Sequence, residues 1–449
     1  MMPKIKKAKI TRKTVSHCQE FSAFRLFKAE KTNELAAAYS RNCDCKDGIL
    51  TAGVGLTVYQ PSDGSALAAT PNLALRNIYL LPTMDEQGKK EWELFLVSKQ
   101  NSTYAYSKTD KTFARILEDV PVYTMFTAWD AVGGTSLFVG TEINLGVSKN
   151  KGGSFAGVTA TDGQACVFKN RVFAADGNNL HYSAPSNTAD FSESLESGTL
   201  YGDVTDGEIQ GLAVWKDALY VFAENGVRKI TASGSPTQFT MEKVCDFHKR
   251  IFKETTRLCK DGIFLLAEDG VYRFDGNGMG QVCEHLSISP ILGKRTSSSA
   301  SYADKYFLYY ADEQRGESLV VLDADGKSGY YAEPVEGLTQ CANGVICRAN
   351  RQLCLLDGRG DALGEAVFET AEITFEKTGK KTLKRLRFVG EGAFTLTVKG
   401  RGGERTQRIS LENGERAWEL FARSDAFVFR FVLERGARIE KMYADVVFA

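Results

Sequence analysis

The chain has 449 residues, 43% hydrophobic and 25% charged, so it can bury complete cores and is long enough for two or three domains. Its 56 Lys and Arg equal its 56 Asp and Glu, which excludes the global basic field of a protein that coats nucleic acid or acidic membrane. No stretch approaches the roughly eighteen apolar residues of a membrane helix, and four His with ten Cys but no CxxC pair leave no metal motif.

The opening MMPKIKKAKITRKTV is basic and lacks an apolar h-region, so it does not read as a secretory signal. Lys4, Lys6, Lys7, Lys9, Arg12 and Lys13 make a cationic arm, either a solvated tail or an arm that docks on an acidic neighbour or on DNA phosphates. Glu34 to Ser40, ELAAAYS, reads as a short helix. Residues 1–50 are thus set apart as a basic arm and docking segment.

From about residue 70, apolar strand cores recur. They are marked at Leu94, Leu137, Val172, Leu219, Ile263, Tyr306 and Val345, which lie 43, 35, 47, 44, 43 and 39 residues apart. The repeat is plainest in Trp215–Ile230, WKDALYVFAENGVRKI, and Cys259–Phe274, CKDGIFLLAEDGVYRF. Both read as hairpins, with Asn225-Gly226 and Asp269-Gly270 expected to supply positive φ at the turn. A period in the forties built from strands predicts propeller blades. Seven marks predict six or seven blades over residues 51–363, the count turning on whether one blade is completed by strands from both chain ends. Ser148–Phe155, SKNKGGSF, fits a loose Asp-box, a turn on the outside of a blade.

After about Gly364 the rhythm changes to strands with Gly-rich or charged turns, which predicts an antiparallel β-sandwich over 364–449. Phe427, Phe429 and Phe431 with Val428 and Val432 make one strand apolar on both faces, hence central. Lys380, Lys381, Lys384 and Arg385 form a basic run. It reads either as a solvated edge strand guarded by charge or as a contact for a subunit or for passing DNA.

No catalytic constellation emerges. His17, His181, His248 and His285 have no partner at catalytic or metal spacing, and no GxSxG elbow occurs. Glu224 and Glu268 hold the same place in two repeats, so they read as turn residues rather than as a glycosidase acid pair. GxG fragments lack the helix that phosphate binding requires. The expectation is a non-enzymatic protein with no cofactor and no metal.

Two passages resemble a known group. ELAAAYSRNCDCKDGILTAGVGL (Glu34–Leu56) is similar to the opening of tailed-phage β-propeller virion proteins, the tail nozzle or hub and head-to-tail stabilisation proteins. NRVFAADGNNLHYSAPSNTADF (Asn170–Phe191) looks like one of that group's blades, and GLAVWKDALYVFAENGVRKI (Gly211–Ile230) looks like another. The group often opens with a Gly-Gly-Leu-Asn type strand, where this chain has FSAFRLFKAEKTNEL. The resemblance implies a structural protein of the virion, folded in the host cytoplasm. It implies a ring of identical copies, a hexamer being one option, beside portal, adaptor or other tail proteins. Such a ring touches packaged DNA only in passing and no membrane. A propeller that binds a receptor or glycan is the alternative, and a glycosidase-like enzyme a more distant one.

Overall fold

The computed structural model describes residues 15–448 apart from 27–30, 61–69, 85–89, 131–133, 149–153, 186, 233, 294–296, 357–360, 376–378 and 413. The chain is all-β and forms two compact units. One comprises residues 55–329 and 333–360. The other comprises the residues up to 54, 330–332 and those from 361 on.

The first unit is a seven-bladed β-propeller. Six sheets have four consecutive antiparallel strands each, and their inner strands are Leu75–Met84, Thr124–Asp130, Ala165–Phe168, Ile209–Trp215, Arg257–Cys259 and Ser298–Tyr302. Blade seven has Glu336–Cys341, Gly344–Ala349 and Gln352–Leu356. It takes Gly55–Val58 from the far end of the sequence as its next strand, with Leu355 opposite Thr57. All seven sequence marks fall in second strands. These strands are the most apolar because each blade packs on two neighbours: ALYVFA (Ala218–Ala223) and GIFLLA (Gly262–Ala267) are buried at every position. Between blades four and five, Tyr220 and Phe222 meet the Phe274 ring edge-on at 5.0 and 5.7 Å, a favourable aromatic geometry. Ile346 and Leu353 of blade seven share a core with Leu75, Ile78, Leu94 and Leu96 of blade one, which closes the ring and covers the blade faces that an open array would leave exposed.

The hairpin turns differ from the expectation. Neither Asn225 nor Gly226 has positive φ, although Gly270 does at 149°. The left-handed pair in blade four is Lys216-Asp217, at 46° and 58°, the turn from first to second strand. Lys169-Asn170 (49° and 59°) and Ala303-Asp304 (47° and 60°) repeat it in blades three and six. Thus the Lys-Asp shared by the two sequence repeats marks the tight two-residue turn, whose twist matches that of the flanking strands. The Asp-box turn lies outside the described residues.

The second unit is a sandwich of two six-stranded sheets. One runs Glu415–Ser424, Lys381–Glu391, Arg438–Phe448, Ile49–Ala52, Cys43–Lys46, with Val15–Phe21 also paired to Arg438–Phe448. The other runs Ala23–Arg25, Glu34–Arg41, Ala366–Thr370, Val428–Leu433, Ala393–Gly400, Gly403–Ser410. Residues 15–52 therefore belong to the sandwich. Phe21, Phe24, Leu35, Cys43 and Leu50 lie in its core beside Phe368, Phe388 and Phe431. Glu34–Arg41 is a strand and not a helix, because pairing with Ala366–Thr370 outweighs the helical preference of its alanines. Val428–Leu433 is central, as expected, yet only Phe429, Phe431 and Leu433 are fully buried.

Candidate functional site

In blades built this way the turn from second to third strand and the crossover to the next blade share one face of the ring. On that face lies a buried polar cluster built around Arg76 and Glu254. It begins with a β-bulge in blade one between Leu75 and Asn77, which sets Arg76 out of register with the neighbouring strand. The Arg76 side chain is almost fully buried, as is that of Glu254, and its Nη2 stands 3.6 Å from Glu254 Oε1. Its guanidinium also lies over the Tyr123 ring, 5.3 Å from the centroid.

Glu254 arrives on the crossover from blade four to blade five, residues 246–256, with φ at 74°. A non-glycine residue in that region is strained and needs its surroundings to hold it. Here the backbone on either side is held. Ser297 Oγ donates to the Lys253 carbonyl at 3.3 Å, Ser299 Oγ to that of Glu254 at 3.0 Å, and Tyr306 Oη to that of Thr255 at 2.7 Å. Phe252 N donates to Leu266 O at 2.9 Å, and Thr255 Oγ1 accepts from Leu266 N at 3.0 Å.

Tyr79 completes the cluster. Its hydroxyl accepts from Asn77 Nδ2 at 3.1 Å and has one proton to share between the Tyr123 carbonyl at 3.2 Å and Glu254 Oε1 at 3.5 Å. Burial pushes the Glu254 carboxyl up to about 7, against the lowering pull of Arg76 and Arg257. Nearby, burial pushes Asp162 up to about 6 although the Lys253 ammonium is 3.6 Å away.

Outward from Glu254 the face opens into a cavity of about 420 Å³. Phe252 and Leu292 give it apolar wall. Glu142, Glu208, Glu224 and Arg250 give it charge. Glu224 braces the crossover here: its carboxylate accepts from Glu208 N at 3.4 Å and Gln210 Nε2 at 3.3 Å. Glu224 N donates to Glu208 O at 3.1 Å, and Glu268 N donates to Arg250 O at 3.0 Å. The repeated glutamate is thus first a backbone feature of the blade. The carboxylates, aromatic wall and guanidinium suit a polar, hydroxyl-rich or amine-bearing ligand.

Sequence reasoning did not find Arg76, Asn77, Tyr79 or Glu254. The signals available were the charged crossover DFHKRIFKETT and the hydroxyl run Ser297–Ser299, both of which lie outside the repeat. Of the basic residues singled out, Lys4, Lys6, Lys7, Lys9, Arg12 and Lys13 lie outside the described residues. Lys380, Lys384 and Arg385 are exposed. Lys381 is not a surface contact. It is 1% exposed, and its ammonium donates to the carbonyls of Gly379 at 3.0 Å and Asp425 at 2.7 Å. The run is not on an edge strand either, since Lys381–Glu391 lies between Glu415–Ser424 and Arg438–Phe448. A bulge between Leu383 and Arg385 turns both Lys384 and Arg385 to solvent. Arg385 then pairs with Asp445 at 2.7 Å and Arg387 with Glu415 at 3.2 Å, so the face carries matched charges rather than a basic stripe.

Among the described residues no group of His, Cys, Asp and Glu is placed to hold a metal ion. All ten cysteines are free. Burial pushes the thiols of Cys166, Cys259 and Cys283 up to about 12, which makes them poor nucleophiles. His181 Nδ1 is 2.8 Å from Thr199 Oγ1 and braces the blade-three hairpin.

No protein-family model matches the chain, and no curated protein matches it. Solved structures align with it. The RRP9 WD40 repeats align at 10% identity over 67% of this chain and 99% of theirs, with a TM-score of 0.43. The WD40 domain of Neurospora crassa Pan2 aligns at 10% identity over 67% and 93%, with a TM-score of 0.41. A fungal alcohol oxidase solved with copper aligns at 10% identity over 82% and 99%, with a TM-score of 0.40.

Proposed function

We propose that the chain is a structural virion protein of a tailed phage or prophage. In this reading it is a non-enzymatic β-propeller that forms a ring in the tail nozzle or hub, or at the head–tail junction, where it retains DNA and lets it pass. The observation that carries the reading is where the resembling passage falls. Glu34–Leu56 spans three sandwich strands and ends inside Gly55–Val58, the strand that closes blade seven. The resembling stretch therefore supplies strands to the sandwich and the strand that closes blade seven. A closed propeller offers stiff side surfaces on which neighbouring subunits of a ring can pack.

The test is mass spectrometry of purified particles, with negative-stain imaging of the isolated protein. Presence in virions and ring-shaped particles are expected. A strictly monomeric protein absent from virions overturns the proposal.

One observation favours a second reading, a propeller that binds a glycan or other receptor: the cavity with Phe252, Glu142, Glu208, Glu224 and Arg250 on its wall. A glycan array that shows binding lost in Glu208→Gln supports it, and an array without any binding removes it.

A further inference from the structure

The rim of blade three differs from the rest of the propeller surface. Four large apolar side chains are more than 70% exposed among the described residues, and three of them are Leu195, Tyr201 and Val204. All three flank Gly198–Leu200, the outermost strand of that blade, whose outer backbone edge has no neighbouring strand among the described residues. An exposed apolar group beside an open strand edge is a surface that another chain can cover by side-chain burial and strand addition.

The charge of this region is one-sided. Between Arg171 and Lys216 the chain has seven Asp or Glu and no Lys or Arg. Glu193, Glu196 and Asp203 lie among the three apolar residues and are exposed. Hydrogen bonds from Thr205 hold the Asp203 carboxyl below its usual range, and those from Ser192 do the same for Asp190, so both stay ionised. The chain as a whole is neutral, so the balancing positive charge lies elsewhere in it. Its densest concentration is Lys4 to Lys13, within a fourteen-residue stretch that has six cations, no acid and apolar Ile5 and Ile10 between them.

We propose that the outer edge of blade three is the docking surface for a second copy of this chain, which meets it with the basic and apolar stretch Lys4–Lys13. The contact is head-to-tail: the patch and its complement are different parts of the sequence, and such contacts propagate around a ring. The inference rests on the ring reading above only in requiring that copies associate. Its apolar residues supply the affinity, and its charges set orientation and encounter rate.

Sedimentation of the full-length protein over a concentration series tests this. The wild type is expected to associate, less so as salt rises. Leu195→Ser/Tyr201→Ser/Val204→Ser should weaken association at least tenfold, and so should Lys4→Glu/Lys6→Glu/Lys7→Glu/Lys9→Glu. The first three residues are exposed, so an unchanged melting temperature shows that the fold is intact. Mixing the second variant with Glu193→Lys/Glu196→Lys/Asp203→Lys should restore association between the two. Wild-type protein that stays monomeric overturns both this surface and the ring. Association that is unchanged in the variants, or no restoration in the charge swap, overturns this surface alone. Protein that associates as expected but is absent from virions overturns the virion reading and leaves the surface standing.

Discussion

The Ser298 hydroxyl of blade six donates to Asn77 Oδ1 of blade one at 2.9 Å and accepts from Leu338 N of blade seven at 2.9 Å. One oxygen thus links the inner strands of three blades, two of which are separated by more than two hundred residues of sequence. Ser298 is fully buried, so its partners have no water to replace it.

Ser298→Ala should therefore destabilise the propeller by about 1–3 kcal/mol, since Leu338 N is left without its acceptor and Asn77 loses a donor. Urea unfolding of the variant against wild type measures it. A cost near zero would show that the three strands are held by apolar packing alone.

Glu254 makes stability depend on pH. Its carboxyl sits near 7 in the folded protein against about 4.5 for an ordinary glutamate, so the folded state binds the proton more readily. Stability then falls as pH rises from about 4.5 to 7 and stays lower above that, by about 3 kcal/mol from this group. Asp162 acts in the same direction at slightly lower pH. Denaturation midpoints between pH 5 and 8 should decline in the wild type, and the decline should be much shallower in Glu254→Gln. Equal slopes in the two proteins would sink this account.

Lys381 and Lys384 are three residues apart and should behave as opposites. Lys381→Glu places a carboxylate against two carbonyl oxygens in a buried site and should cost about 3–5 kcal/mol. Lys384→Glu changes an exposed residue at a bulge and should stay within about 0.5 kcal/mol. Thermal melts of the two variants decide it, and comparable losses would contradict the bulge.

Phe431 anchors the sandwich, where Phe24, Phe388 and Phe394 surround it at 5.7, 6.2 and 5.8 Å between centroids. Phe431→Ala should cost about 3–5 kcal/mol. Phe24→Ala should cost a similar amount, because the N-terminal strands share this core. A negligible effect of Phe24→Ala would mean that residues 15–52 are dispensable to the sandwich.

The blades were legible because repetition is a property of spacing, and every mark from Leu94 to Val345 landed in a second strand. The closing strand Gly55–Val58 was anticipated in kind but not located, since four residues, GLTV, carry no periodicity to read. Glu34–Arg41 was misread because local preference speaks for helix while its partner, Ala366–Thr370, is more than three hundred residues away. That the basic run sits on an inner strand was not legible, because the strands that flank Lys381–Glu391, Glu415–Ser424 and Arg438–Phe448, come later in the chain. The buried polar cluster was invisible because Arg76, Tyr79 and Glu254 converge only once the ring is closed. None of the three belongs to the repeat.

The closure by Gly55–Val58 also sets an order of events in time. Blades one to six can each form as their own strands emerge during synthesis, because their pairings are local. Blade seven must wait for Gln352–Leu356 before Gly55–Val58 has a partner, and Val15–Phe21 must wait for Arg438–Phe448. Such distant pairings form slowly. For most of the chain's synthesis Gly55–Val58 and Val15–Phe21 have no partner: blade seven can close once Gln352–Leu356 is made, and the sandwich only once Arg438–Phe448 follows. A chaperone, or a neighbouring copy, has that interval in which to act on them.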